Sequence, residues 1–431
     1  MSGVLSQSSV CSVTAVPGDG IDHDLIQAWE RLYELQPAPS NPFLAPTWVL
    51  QWYDKFVQPG DRVVLVVRRT REDDVPGEVL GILPMHVDHK SVGPLRVARR
   101  LLPVGAGVGV TPLELPGLLS ADGMSRQIGS ALTSALLATN HDWSELVLAP
   151  HQGWLDYEWL EASPASVTFG ECVRARACVV LPLQPTWDQT RATLKRNIKE
   201  SIRRSANRLK KDGRAFEVVR HGTDLDEAVV ERFLLLHQVR SRATRSSKKL
   251  HPDVYEGGRH RRLMVEALPR LGREGRASVF ELYLAGEHVA SQVALHSPGT
   301  SYVHSSGFKE EEWDLGVVTH LQAELVRHAI ERGDTVVNFS PGPNVSKLRW
   351  SEQLWVTHEF AVGGGSHALT LRFASFDMLS SVRLMVQSAI RNRQQVRAAQ
   401  KARLTPAVRT TPAATADDRS TTSRPEPVHH R

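Results

Sequence analysis

Between residues 278 and 350 the spacing of apolar residues changes period twice, and few folds accommodate that order of changes. Val279-Phe280-Glu281-Leu282-Tyr283-Leu284 and Val289-Ala290-Ser291-Gln292-Val293-Ala294-Leu295-His296 read as two strands joined at Ala285-Gly286-Glu287-His288. Ser297-Pro298-Gly299-Thr300 puts Pro and Gly where a type II turn wants a fixed and a positive φ, and it leads into a third strand, Tyr302-Val303-His304-Ser305-Ser306. From 316 to 332 the period becomes helical: Val317, Val318, Leu321, Leu325 and Ala329 share one arc, widened by Val326 and Ile330. Gly333 ends that helix, and Thr335-Val336-Val337-Asn338-Phe339 returns as a strand before the break at Ser340-Pro341-Gly342. A meander, a helix and a further strand predict an α/β layer whose last two strands run parallel.

The chain of 431 residues is too long for one ordinary core and predicts two domains with extensions. Its 41% hydrophobic and 23% charged residues are those of a soluble globular protein. No run of about 18 apolar residues predicts a membrane span. The first twenty residues lack the basic start and apolar block of a secretion signal. Cys11, Cys172 and Cys178 have no metal-like spacing and cannot all pair, which points to a reducing compartment, with the cytoplasm as the expected location. No metal site is expected.

Earlier elements follow the same logic. Helices are predicted over 24–35, 46–56 and 125–139, with strands at 10–16, 62–68, 78–87 and 145–148. Trp48, Leu50, Trp52 and Tyr53 are candidate core residues of the second helix. The Gly-rich stretch 105–109 lacks the Lys-Ser or Lys-Thr of a phosphate loop and reads as a bend. After a strand at 177–183, residues 191–211 carry nine basic residues and one acid, Glu200. Leu194, Ile198, Ile202 and Leu209 form a narrow apolar seam on this predicted helix, and Lys195, Arg196, Lys199, Arg203, Arg204, Lys210 and Lys211 cover the rest. Two readings stand: a solvated amphipathic helix, or a surface that gathers an anion such as a coenzyme A phosphate, a tRNA or an acidic polymer. Two more helices are predicted over 224–239 and 260–271. A flexible joint at 363–365 precedes a basic helix over 370–403 and a disordered tail rich in Pro, Thr, Ser and Ala.

The order of these elements, the Gly286-to-Ser291 pattern Gly-x-x-x-Ala-Ser, and Asn338-Phe339-Ser340-Pro341-Gly342 followed by Lys347-Leu348-Arg349-Trp350 resemble the acetyltransferase domain of the GNAT superfamily. Asn41-Pro42-Phe43 resembles the opening of its CelD-like branch, associated with cellulose and exopolysaccharide clusters and akin to Fem-type aminoacyl-transferases. The resemblance spans about residues 41–364. It implies two tandem GNAT-like domains, each a mostly antiparallel mixed sheet flanked by helices: a degenerate one at 1–175 and an acyltransferase domain at 176–365. A basic extension at 366–403 and a tail at 404–431 follow.

The resemblance also implies a ligand: acetyl-CoA or another acyl-CoA, its pantetheine lying where the strands at 302–306 and 335–339 part and its pyrophosphate at the start of the helix between them. Tyr302, Asp314, Gly316 and Val317 are then the candidate cofactor residues, with Asp314 as the expected N-cap. The superfamily loop has more glycine than this chain, which approaches it through Glu310-Glu311-Glu312. Where the family usually has Asp, this chain has Asn338, which cannot act as a base. Glu281, His296 and His304 are therefore the candidate bases, each equally readable as a hydrogen-bonded sheet residue. Leu236-His237-Gln238-Val239-Arg240 and Lys347 with Arg349 match family positions on the acceptor side, where they bind a carboxylate or phosphate or simply clamp structure. Direct attack by an amine or hydroxyl is expected; the rival readings are aminoacyl transfer from tRNA and a non-catalytic anion-binding protein.

Overall fold

A computed structural model describes residues 3–7, 10–71, 76–92, 95–106, 113–138, 145–148, 168–242, 253–256 and 258–363. The expected extension, the tail, the turn at 72–75 and most of the bend at 105–109 lie outside them. The first part of the chain runs β1 (Gly3–Gln7), β2 (Cys11–Pro17), α1 (His23–Glu34), α2 (Pro46–Phe56), β3 (Arg62–Arg69), β4 (Val79–Val92), β5 (Leu95–Pro103), β6 (Leu119–Ser120), α3 (Ser125–Ala138) and β7 (Glu145–Leu148). The second runs β8 (Thr168–Pro182), α4 (Trp187–Thr193), α5 (Arg196–Lys211), β9 (Phe216–His221), α6 (Glu227–Arg242), α7 (Gly258–Arg273), β10 (Ala277–Leu284), β11 (Glu287–Ser297), β12 (Thr300–Phe308), α8 (Val317–Glu331), β13 (Val336–Pro341), α9 (Val345–Leu348) and β14 (Leu354–Gly363).

The strands form one hydrogen-bonded path, β1-β2-β3-β4-β5-β7-β14-β8-β13-β12-β11-β10-β9, with β6 beside β4. Every pairing is antiparallel except β5 with β7 and β12 with β13. From β2 to β7 and again from β9 to β13 the chain makes the same moves. A strand, two helices and a three-strand meander are followed by a helix that crosses over to a parallel strand. The fold is thus two tandem copies of one topology. They meet in the middle, where β14 returns from the end of the described chain to lie between β7 and β8.

Alternation sorts the side chains between the sheet faces. In β3, Val64 and Val66 join an inner core, while Val63, Leu65 and Val67 pack in an outer core with Ile128 and Leu132 of α3. On the inner face α1 and α2 of the first copy and α6 and α7 of the second share one core, which includes Trp29, Trp48, Phe233, Leu268 and Tyr302. The second copy's outer face holds Phe280, Leu282, Val303 and Phe339 against α5 and α8. The predicted basic helix over 191–211 is interrupted: Leu194 and Lys195 are extended, with ψ of 150° and 148°, so α4 and α5 are separate helices. The apolar seam survives the break because Leu194, Ile198, Ile202 and Leu209 are all buried.

Helix α6 lies unusually close to β12. A Cβ added at Gly307 would sit 2.4 Å from the backbone nitrogen of His237 and 2.6 Å from the carbonyl carbon of Leu236, so only glycine allows this approach. Gly307→Ala should therefore lower stability by about 1–3 kcal/mol, the usual cost of overpacking. Urea unfolding checks this, and an unchanged midpoint would show that α6 does not rest on the strand.

Candidate functional site

The parallel pair β12 and β13 stays together for only three residues, Thr300 to Tyr302 against Val336 to Asn338. Beyond that, β12 continues to Phe308 beside β11 alone, while β13, paired with β8 from Val336 onward, stays with β8 through a register shift to reach Pro341 opposite Cys178. The two strands part, as expected, immediately after Tyr302 and Asn338. A local motif turns β13 away. The Asn338 side-chain oxygen accepts from Ser340 N–H at 2.9 Å, and Ser340 takes φ of +64°, a conformation costly for a residue with a Cβ. Lys347 Nζ holds that turn, donating to Pro341 O at 2.8 Å and to Ser340 O and Oγ at 3.1 Å.

The inner face of the opening is polar and buried. Burial pushes the Lys347 ammonium down to about 8 and the Cys178 thiol up to about 12. Arg240 of α6 donates to Ser306 O and Oγ at 2.8 Å, and desolvation lowers its pKa. His237, one turn earlier, meets Asp253 at 3.1 Å, and its ring lies 4.7 Å from that of Tyr255. The Tyr255 hydroxyl is 2.8 Å from Ser305 Oγ and 3.4 Å from His304 Nδ1. Burial depresses His304 to about 3, so its imidazole is neutral. The first copy closes this face: Phe43 and Trp48 pack on His304, and Tyr302 donates to Leu113 O at 2.5 Å.

At the far side of the opening α8 begins. Gly316, with φ of +72°, precedes it and caps it without a side-chain bond. The first helical bond runs from His320 N–H to Gly316 O, so the N–H groups of Val317, Val318 and Thr319 have no acceptor within the helix. Asp314 is not the N-cap that was expected. It sits in the preceding 3-10 turn, where its carbonyl accepts from the Arg208 guanidinium of α5. Helix α5 crosses close by, with Ser205 Cβ 3.1 Å from where a Gly316 Cβ would stand. The acidic approach is neutralised in part, since Glu312 accepts both Arg214 N–H groups at 2.8 Å.

Of the candidate residues, the structure brings Tyr302, His304, Asn338, His237, Arg240 and Lys347 to one face of the opening, and places Gly316 and Val317 at the start of α8. Glu281 and His296 stand apart. Glu281 is fully buried and takes two bonds from Arg232, one from the Tyr283 hydroxyl and one from His221; burial raises its pKa, but the bonds from Arg232 and Tyr283 outweigh it and hold the pKa below the ordinary value. His296 bonds Ser278 and Ser301 at the closed end of the strand pair. Arg349 donates to Asn197 O and Ser201 Oγ, clamping α5. Cys178 and Tyr255 were not singled out, because neither belongs to a local motif. Among the described residues no cluster of three or more His, Cys, Asp or Glu side chains is placed to hold a metal, and no helix is long and apolar enough to cross a membrane.

Residues 196–348 match the family model described as an acetyltransferase (GNAT) domain. This stretch is similar to a GNAT acetyltransferase domain. The crystal structure of FemX superimposes with a TM-score of 0.52 at 12% identity, over 78% of this chain and 95% of that one, a likeness of fold. A tandem GNAT protein from the clavulanic acid biosynthesis pathway gives 0.40 at 12% identity, over 83% and 99%. The C-terminal domain of a putative lysylphosphatidylglycerol synthetase from Agrobacterium fabrum gives 0.43 at 10%, over 81% and 95%. No curated protein matches in sequence.

Within this stretch the buried ammonium offers a direct check. Lys347 should titrate near pH 8, below the ordinary 10.5. Its folded pKa is depressed, so burying the cation costs stability below pH 8, and that cost is relieved as pH rises from 8 towards 10.5. NMR of isotope-labelled lysines should show one resonance titrating about two units early that disappears in Lys347→Arg; all lysines titrating together would refute this.

Proposed function

We propose that this chain is an acyl-CoA-dependent acyltransferase, using acetyl-CoA in the simplest case, that acts by direct attack of an amine or hydroxyl in a ternary complex. The observation that carries the reading is the parting of β12 and β13 beside a helix start with unsatisfied N–H groups and Arg208 at its edge. An extended pantetheine fits as a partial strand along the freed edge beyond Tyr302, and the pyrophosphate fits the N–H groups of residues 317–319, where the helix dipole also favours negative charge. Direct attack is favoured over a covalent intermediate because the Cys178 thiol is held protonated and so is no nucleophile. Arg240, His237 and Lys347 border the acceptor side. The free, buried thiol of Cys178 fits a reducing compartment such as the cytoplasm.

A second reading has a specific observation behind it. The exposed face of α5, with Arg196, Arg203, Arg204, Arg208, Lys210 and Lys211, lies next to the phosphate end of the opening and would suit an aminoacyl-tRNA donor, as the resemblance to Fem-type transferases implies. Thermal unfolding with acetyl-CoA, free CoA and bulk tRNA separates the two. A ligand at about a hundred times its Kd adds about 2.7 kcal/mol, a shift of several degrees. Thr319→Glu is the fitting control, because a carboxylate in the first turn suits the helix but repels a phosphate. The expected result is a shift with acetyl-CoA that Thr319→Glu abolishes. A shift with tRNA alone would favour the aminoacyl donor, and no shift with any of the three would leave a protein without this activity.

A further inference from the structure

The acceptor side contains an unusual pair of atoms. Trp48 of α2 is 1% exposed and His304 of β12 is 4% exposed, yet neither the indole Nε1 nor the imidazole Nε2 has a hydrogen-bond partner among the described residues. Their rings are 6.3 Å apart, centre to centre, at 62°, and both pack on Phe43, at 5.2 and 6.0 Å. His304 lies two residues past the last β12–β13 pair, on the freed edge. Its Nδ1 is occupied, 3.1 Å from Ser305 Oγ and 3.4 Å from the Tyr255 hydroxyl, so with Nδ1 protonated Nε2 presents a lone pair. Buried polar atoms left unmade are costly and mark places where a ligand group completes the bonding. Trp48 supplies a donor and His304 an acceptor, from different copies of the fold, into one ring cluster.

We propose that the acceptor of this transferase is an alcohol, whose hydroxyl accepts from Trp48 Nε1–H and donates to His304 Nε2. The inference rests on the acyl-transfer reading above and narrows it. An ammonium has no lone pair for the indole N–H. A neutral amine has one, and giving it to Trp48 leaves none for attack. A hydroxyl oxygen has two, so it binds Trp48 and still attacks. In the step, the oxygen forms a bond to the thioester carbonyl carbon, the hydroxyl proton passes to His304 Nε2, the C–S bond breaks, and the imidazolium returns the proton to the departing thiolate. An alcohol and a thioester become an ester and a thiol.

The test incubates the full chain with acetyl-CoA and an equal mixture of glycerol, glucose, glucosamine and lysine, and treats the products with hydroxylamine, which cleaves esters but spares amides. Calorimetry with acetyl-CoA runs alongside. The expected product is a hydroxylamine-labile acetyl ester. Trp48→Phe, which keeps a ring but loses the N–H, should cut transfer at least about tenfold while leaving acetyl-CoA affinity and melting temperature unchanged. If acetyl-CoA does not bind, the acyl-transfer reading itself fails. If it binds and the product is an amide, if none of the four compounds is acetylated, or if Trp48→Phe transfers at the wild-type rate, the alcohol assignment alone is overturned. A fall of several degrees in the melting temperature of Trp48→Phe would also overturn it, by showing that the N–H serves the free fold.

Discussion

The candidate site of this molecule depends on a pair of parallel strands that separate after three residues. Parallel strands in a sheet interior ordinarily stay paired, because every unpaired backbone group that is buried costs free energy. Here β13 keeps its pairing with β8 and leaves β12: Asn338 bends the chain at Ser340, Lys347 grips the bend, and β8 continues to pair with Pro341 and Gly342. The strain of a positive φ at Ser340 and the desolvation of Lys347 are costs set against an exposed strand edge on β12. The buried lysine is thus part of how the opening is held open, whatever it later does to a ligand.

The same geometry explains why the polar residues of the inner face are so poorly solvated. Gly307 lets the backbone of α6 approach β12 closely, which brings His237 and Arg240 over the freed edge. The first copy of the fold supplies the lid, through Phe43, Trp48 and the carbonyl of Leu113. These groups exclude water from a face belonging to the second copy, where electrostatic interactions then act at short range and low dielectric.

Much of the fold was legible in the sequence because it is written in periods. The meander at 279–306, the helix that follows and the return strand have apolar spacings that admit little else, and their order resembled a known family. The repetition was not legible in the residues themselves and was expected only from the resemblance: the two copies share backbone hydrogen bonding and strand order, which constrain side chains only to be apolar on the correct face. The site was legible in part. Tyr302, His304, Asn338 and Gly316 were singled out because they lie near the point where the resemblance implied that the strands part. Glu281 seemed an equal candidate because no local pattern announces that Arg232, 49 residues away in sequence, neutralises it. The break at Leu194 and Lys195 was hidden by an apolar seam that happens to continue through it. Trp48 read as an ordinary core residue, and so it is, apart from one nitrogen whose isolation is a property of packing.

The strand β14 has a consequence for how the molecule comes to exist. It completes the sheet beside β7, which ends at Leu148, yet it starts only at Leu354. On the ribosome the first copy therefore emerges with one sheet edge bare and waits for nearly the whole second copy before its own chain can cover that edge. The two copies look like separate units in topology, but neither is finished alone. Removing the last described strand would injure the first copy, at the opposite end of the sequence, as well as the second.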